Sequence, residues 1–119
     1  MKIHISHYHL HPGGVTRIVQ SQVAGLKEAA PDAEIHIHVG QCDEPKAFEK
    51  QDAIVHVYSS LNYLTEDDAR NIDLKNRYQE ILSYLKENID SNDILHFHNL
   101  NLGKNPLVTM AVSEMIQDD

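Results

Sequence analysis

Cysteine occurs once in the chain, at Cys42, so no disulfide can form within it. That thiol stands in Cys42-Asp43-Glu44, where two carboxylates disfavour the thiolate, which argues against a catalytic cysteine. Long apolar runs are missing too: none exceeds three residues, against the roughly 20 that a membrane span needs. The amino terminus lacks the charged region and apolar core of a signal peptide, so the expected location is the cytoplasm, extending to the inner face of the membrane. Positive charge is scarce. Ten Lys and Arg stand against 18 Asp and Glu, a formal charge of −8, which repels a phosphate backbone and excludes nucleic acid as an expected partner. With no low-complexity tract, the 119 residues read as one soluble domain with a real core.

What is present alternates. Residues 2–8 place Ile3 and Ile5 opposite His4 and Ser6, the period of a strand. His11-Pro12-Gly13-Gly14 then turns the chain, and Val15, Ile18, Val19, Gln22, Val23 and Leu26 recur at helical spacing over 14–30 until Ala30-Pro31 stops them. Residues 34–39 alternate again and close a βαβ unit. A mostly apolar run at 53–58 is a third strand whose direction is left open, because a parallel return needs a helix-sized crossover and residues 40–52 show no period. Thr65 and Asp68 resemble a capping box, and Leu74, Tyr78, Ile81, Leu82, Leu85 and Ile89 form the stripe of what should be the longest helix, over 72–89. A fourth strand is expected at 94–98. A last helix over 105–117 has Asn105 as cap, Pro106 at its first position, and Val108, Ala111, Val112, Met115 and Ile116 on its buried face. Strands alternating with helices predict an α/β, Rossmann-like, mostly parallel sheet. The pattern stops after a helix at Asp119, where another strand is expected, so the domain reads as truncated.

Two segments carry candidate chemistry. His9-Leu10-His11-Pro12-Gly13-Gly14-Val15-Thr16 joins the first strand to the first helix. Two glycines let backbone N–H groups approach a ligand, and a helix start favours an anion. Pro-Gly-Gly is equally a tight turn feeding a helix, and both readings stay open. The second segment leaves the fourth strand as His98-Asn99-Leu100-Asn101-Leu102-Gly103-Lys104, dense in groups that grip sugar hydroxyls or a phosphate. The nine histidines are unusual. His36 and His38 share a strand face, as do His96 and His98, while His4 and His56 stand singly. Such pairs hold nitrogens suited to zinc, yet no Cys or Asp accompanies them in the strands and no His-Glu-x-x-His exists. They read instead as partly buried residues hydrogen-bonded beneath the covering helices, with no metal. Only the strand-end residues His7, His9, His11 and His98 are placed to reach a ligand at the cleft. Tyr78, Tyr84, Phe97 and Met115 fit core positions without further role.

Pro12 to Val19 and Asp93 to Asn99, in this order and spacing, resemble the amino-terminal domain of retaining glycosyltransferases of family 4, which have the two-domain GT-B fold. The resemblance implies a sugar transferred from a nucleotide-diphosphate sugar to a sugar or lipid-linked acceptor, with no further cofactor. It implies that the glycine loop, Gly13 and Gly14 with Val15 and Thr16, touches the donor diphosphate, and that His98 and Asn99 lie beside the acceptor. Asn101 and Lys104 join them by their chemistry, Lys104 matching no general family motif, and His9, His11 and Arg17 border the cleft. Two family features are lacking: a further strand ending in a cleft histidine, and a carboxy-terminal donor domain with Glu-x₇-Glu. No two glutamates here stand eight apart. The chain is therefore expected to be inactive alone, with catalytic residues unassigned. The alternative is a stand-alone Rossmann-like module that binds a phosphorylated metabolite without catalysis. A receiver-like domain would need an acidic pair where this first strand ends in His7-Tyr8-His9.

Overall fold

The computed structural model describes residues 1–97 and 105–118. Alternating apolar residues form β1 (Lys2–Ser6), β2 (Glu34–Val39) and β3 (Ala53–Val57), and β4 (Ile94–Phe97) completes a four-stranded sheet in the order β3-β2-β1-β4. Every pairing is parallel, in a register that sets Ile3 against both Ile35 and Ile94 and Ser6 against both His38 and Phe97. The fold is α/β and Rossmann-like. β3, whose direction the sequence leaves open, runs parallel to β2. Residues 40–52 supply about the dozen residues that a parallel crossover needs, and they carry a five-residue helix, α2 (Pro45–Glu49). That helix escapes a periodicity reading because Phe48 is its one buried side chain.

The first long helix, α1 (Gly14–Ala29), ends with the Ala30 N–H on the Leu26 carbonyl, as the following proline demands. It buries Val19 and Val23, but Ile18, which the apolar stripe includes, is exposed. The segment after β3 carries one helix more than expected, ahead of the one expected over 72–89. Thr65 does cap a helix, accepting from the Asp68 N–H at 3.1 Å, but that helix is the short α3 (Glu66–Asn71). Ile72 is extended, and the Asp73 carboxylate takes the Asn76 N–H at 3.1 Å to start a separate helix, α4 (Leu74–Asn88). A second N-cap thus sets α4 apart from α3, since an aspartate there offers the backbone an alternative to continuing the helix. At 15 residues α4 is one shorter than α1, so it is not the longest helix. The last helix, α5 (Pro106–Asp118), buries Val108, Ala111, Val112 and Met115 and leaves Ile116 exposed.

The sheet divides two cores of different character. On one face Ile5, Ile35, Ile37 and Val39 meet Val19 and Val23 of α1 and Phe48 of α2. On the other, Ile81, Leu82 and Leu85 of α4 pack with α5, with Leu61 of a 3-10 turn (Ser59–Leu61) and with Leu95 and Phe97 of β4. Asn105 was expected as a cap. It stands at that position, its carbonyl accepting the Thr109 N–H at 3.4 Å, but its Oδ1 accepts no hydrogen bond among the described residues. Its NH2 donates to the carbonyls of Ser60 at 3.0 Å and Asn62 at 2.8 Å, tying the start of α5 to the 3-10 turn. The same turn leans on the end of β2: a Cβ added at Gly40 would collide with the Asn62 backbone. Backbone, unlike the tip of a side chain, cannot step aside. Gly40→Ala should therefore lower stability by about 1–3 kcal/mol as an overpacked site. Urea unfolding checks this, and a midpoint equal to wild type would show that the contact yields freely.

Candidate functional site

In an open parallel sheet, ligands bind outside the carboxyl ends of the strands, where neighbouring strands connect in opposite directions. Here that point lies between β1 and β4: β1 leads through α1 to β2 on one side, and β4 returns on the other. Beyond Ser6 the chain continues alongside the segment after β2. The Gly40 N–H donates to Tyr8 O at 2.8 Å, the Leu10 N–H to Gln41 O at 2.7 Å, and the Asp43 N–H to Leu10 O at 3.3 Å. Tyr8 and Leu10 are buried by this ladder, which anchors the glycine loop from below.

The loop itself is open. Gly13, at φ 154°, occupies backbone space that L side chains rarely adopt, and Gly14 is exposed beside it. α1 has no side-chain cap and no acidic residue in its first turn, so no carboxylate of its own occupies the dipole end. The Thr16 hydroxyl donates to the His11 carbonyl, and the Arg17 N–H donates to Gly13 O at 3.2 Å, which closes the first turn. Val15 and Thr16 are half-buried, while the Arg17 side chain faces solvent.

His11 and His9 stand beside the loop with ring centroids 4.2 Å apart, and Tyr63 meets His9 edge-on at 4.9 Å. His11 Nδ1 contacts Asp43 Oδ2 at 2.9 Å, so in the neutral ring Nδ1 carries the hydrogen and Nε2 keeps its lone pair. Burial, reinforced by the nearby His11 and His7, lowers the pKa of His9. Burial likewise raises that of Cys42, with Asp43 and Glu44 adding to it, in keeping with an unreactive thiol. The structure thus gathers Gly13, Gly14, Val15, Thr16, Arg17, His9 and His11 at one edge. β4 reaches the same edge, its Phe97 level with Ser6. The acceptor-side residues His98, Asn99, Asn101 and Lys104 lie outside the described residues.

Away from this edge, the histidines of the strands form a connected system. His4 contacts His38 at 2.8 Å and Asp93 at 2.8 Å, and His38 contacts the Tyr84 hydroxyl at 2.7 Å. A carboxylate can only accept, so His4 Nε2 carries hydrogen and its Nδ1 accepts; His38 Nε2 must then donate, and its Nδ1 accepts from Tyr84. The chain runs one way, Tyr84 to His38 to His4 to Asp93, with both rings neutral. A parallel pair runs from His56 to His36 at 2.8 Å and on to Glu34 at 3.2 Å. Burial, followed by the neighbouring rings, pushes His38 down to about 3 and lowers His56; burial also lowers His4 against the pull of Asp93. Tyr84 is raised to about 12 by burial and then by Tyr58. Burial works to raise Asp93, but the Asp90 N–H and His4 outweigh it and hold the carboxyl low. The expectation of hydrogen-bonded rings holds for His4, His36, His38 and His56, and the covering helix reaches them through Tyr84 on His38. His96 differs: level with Ile5, it lies on the α1 face and is exposed. Tyr84, given no role from the sequence, is the residue through which α4 joins the system. Its position beside the stripe residues Ile81 and Leu85 was the available signal.

Over 117 residues, 96% of its length, the chain is 30% identical to mannosylglucosyl-3-phosphoglycerate synthase of Petrotoga mobilis. That relative is a glycosyltransferase. The chain spans 23% of the relative's length. No protein-family model matches the chain, and no solved structure matches it. Among the described residues, no helix is long and apolar enough to cross a membrane, and no group of three or more His, Cys, Asp and Glu is arranged to hold a metal ion.

The two glycines of the loop should separate on substitution. A Cβ meets nothing within 4 Å at either position, so space does not distinguish them; backbone conformation does. Gly13→Ala should cost about 1–3 kcal/mol through a φ that alanine resists. Gly14→Ala, in the first turn of a helix, should stay within about 1 kcal/mol of wild type. Denaturant midpoints of the two variants test this, and equal losses would refute it.

Proposed function

We propose that this chain is the acceptor-side, amino-terminal Rossmann-like domain of a GT-B glycosyltransferase of the family 4 type. In this reading the intact enzyme transfers a sugar from a nucleotide-diphosphate sugar to an acceptor. The observation that carries it is the open glycine helix start at the carboxyl edge of a parallel sheet, within a chain similar along nearly its whole length to a glycosyltransferase. Gly13, Gly14, Val15 and Thr16 offer backbone N–H groups to the donor diphosphate, and Gly14 lets it come close. His9, His11 and Arg17 border that site. His98, Asn99, Asn101 and Lys104 hold the acceptor through hydroxyl and phosphate contacts. By the relative's name, an acceptor built on a glycosylated phosphoglycerate and a mannosyl donor are the first to try.

Transfer needs the leaving diphosphate stabilised and the acceptor held in line with the sugar, contributions that come from groups preorganised on both sides of a closed cleft. This domain supplies one side, and a donor-holding domain supplies the other. With a net charge of −8, its own hold on a nucleotide diphosphate is weak and salt-sensitive.

The test is a transfer assay with several nucleotide sugars, glucosyl-3-phosphoglycerate among the acceptors, on residues 1–119 alone and joined to a donor domain. The expected result is no turnover alone and turnover when joined. In the joined protein Gly14→Ala should raise KM for the donor about tenfold, the equivalent of one or two lost charge-assisted hydrogen bonds, while the melting temperature holds. Robust turnover by residues 1–119 alone would overturn the reading. Binding of a phosphorylated metabolite with no turnover when joined would leave the stand-alone binding module.

A further inference from the structure

The two faces of the sheet differ in their titratable groups. The side chains packed on the α1 side include the aliphatic Ile5, Ile35, Ile37, Val19 and Val23, and the strand histidine on that face, His96, is exposed. On the opposite face, which α4 joins through Tyr84 on His38, the strands present His4, Ser6, His36, His38 and His56 instead. His38 is fully buried and His4 is 1% exposed. The four rings form a closed array: His4 to His36 is 5.2 Å, His4 to His38 5.0 Å, His38 to His56 4.7 Å and His36 to His56 5.1 Å between centroids. A proton on one ring therefore opposes a proton on its neighbours.

We propose that this histidine face is an acid-released seam, in which proton uptake by His38 and His56 lifts the α4–α5 layer off the strands while α1 stays packed.

The surroundings decide which rings act. Asp93, in the turn before β4, faces His4, and Glu34 of β2 faces His36, so each of those two rings has a carboxylate partner. Lys2 of β1 opposes a proton on His4. Neither His38 nor His56 has a carboxylate among its hydrogen-bond partners in the described residues; their partners are His4, Tyr84 and His36. From α4 comes Tyr84, stacked on Tyr58 at 4.4 Å, with Glu80 and Glu87 at the rim of that groove. From α5 the side chains near Asp93 are apolar: Val112, Met115 and Ile116. A charge on His38 is thus buried without a counter-ion, and the way to hydrate it is to raise α4, through which Tyr84 reaches it. α5 packs on α4 and moves with it. The sign follows from linkage. His4, His38 and His56 have lowered pKa values in the folded state, so the open state binds more protons. The closed seam is fully favoured above the ordinary histidine value near 6.5 and weakens as pH falls below it, for His38 down to about 3.

Hydrogen exchange of the whole chain at pH 7.5, 6 and 5, corrected for intrinsic rates, tests the proposal. The amides of residues 74–88 and 106–118 should lose protection at least tenfold by pH 5 while residues 14–29 keep theirs. The double variant His38→Leu with Tyr84→Phe replaces both partners of the buried hydrogen bond, and it should reduce that tenfold loss severalfold. Should the variant fail to fold at pH 7.5, histidine ring NMR of the wild type decides. His38 and His56 should stay neutral until exchange reports the layer open, then titrate with it. Protection of α4 and α5 retained at pH 5, loss of all helices together, an unchanged pH response in a folded double variant, or protonation of His38 in the closed state would each overturn the seam.

Discussion

A buried imidazole is tolerable only when each nitrogen taken from water meets a partner of the right polarity, and this requirement organises one whole side of the sheet. Asp93 sets the direction, because a carboxylate only accepts. Every later group, His4, His38 and Tyr84, is then fixed as donor on one side and acceptor on the other. Four segments are thereby held in one geometry, β1 and β2 from early in the sequence and α4 and the turn before β4 from late in it. The register of β1 with both neighbours is part of the same constraint. A slip by one residue would turn the histidines toward α1 and the isoleucines toward Tyr84.

The opposite, aliphatic face makes no such demand, and it is the side on which α1 follows the glycine loop. α1 is seated by Val19 and Val23, and its first turn is left without a cap of its own. Rigidity beneath and openness at the tip come from different residues: the ladder of Tyr8 and Leu10 with Gly40, Gln41 and Asp43 gives the first, and Gly13 with Gly14 gives the second. A site built this way can offer fixed backbone donors to an anion without a large positive charge, which suits a chain of net charge −8.

Much of this was legible in the residues. The period of two in residues 2–8 and 34–39, and the glycine turn between them, lead directly to a parallel βαβ unit, although the paired strand ends at Ser6. The burial of His38 with its hydrogen bond to a covering helix was legible too. Signals that depend on one residue were harder. Phe48 alone buries α2, and five residues show no period. Asp73 starts α4 afresh after the unforeseen α3, because its carboxylate captures a backbone N–H three residues on. Ile18 and Ile116 belong to apolar stripes yet face solvent, since a stripe wider than the contact leaves its margin uncovered. Asn105 shows a different limit. Cap chemistry is written in the sequence, but the competing carbonyls of Ser60 and Asn62 arrive only through the tertiary fold. Beside the glycine loop, the pairing of His11 with Asp43 joins residues 32 positions apart and has no local mark.

The placement of β1 between β2 and β4 also sets an order of difficulty for the folding chain. β1, α1, β2, α2 and β3 follow one another with short connections, so each pairing closes a modest loop. β4 reaches β1 only after the chain has crossed the sheet, and the contact of His4 with Asp93 spans 89 residues. Closing the longer loop carries a larger entropic cost, though one that grows only logarithmically with length. High mean separation between contacting residues slows folding. The first three strands can therefore assemble as a local unit, whereas the polar chain of Tyr84, His38, His4 and Asp93 gains its last partner only when β4 arrives. Pairing β4 with β1 and supplying His4 with its carboxylate are thus one and the same closure of the chain.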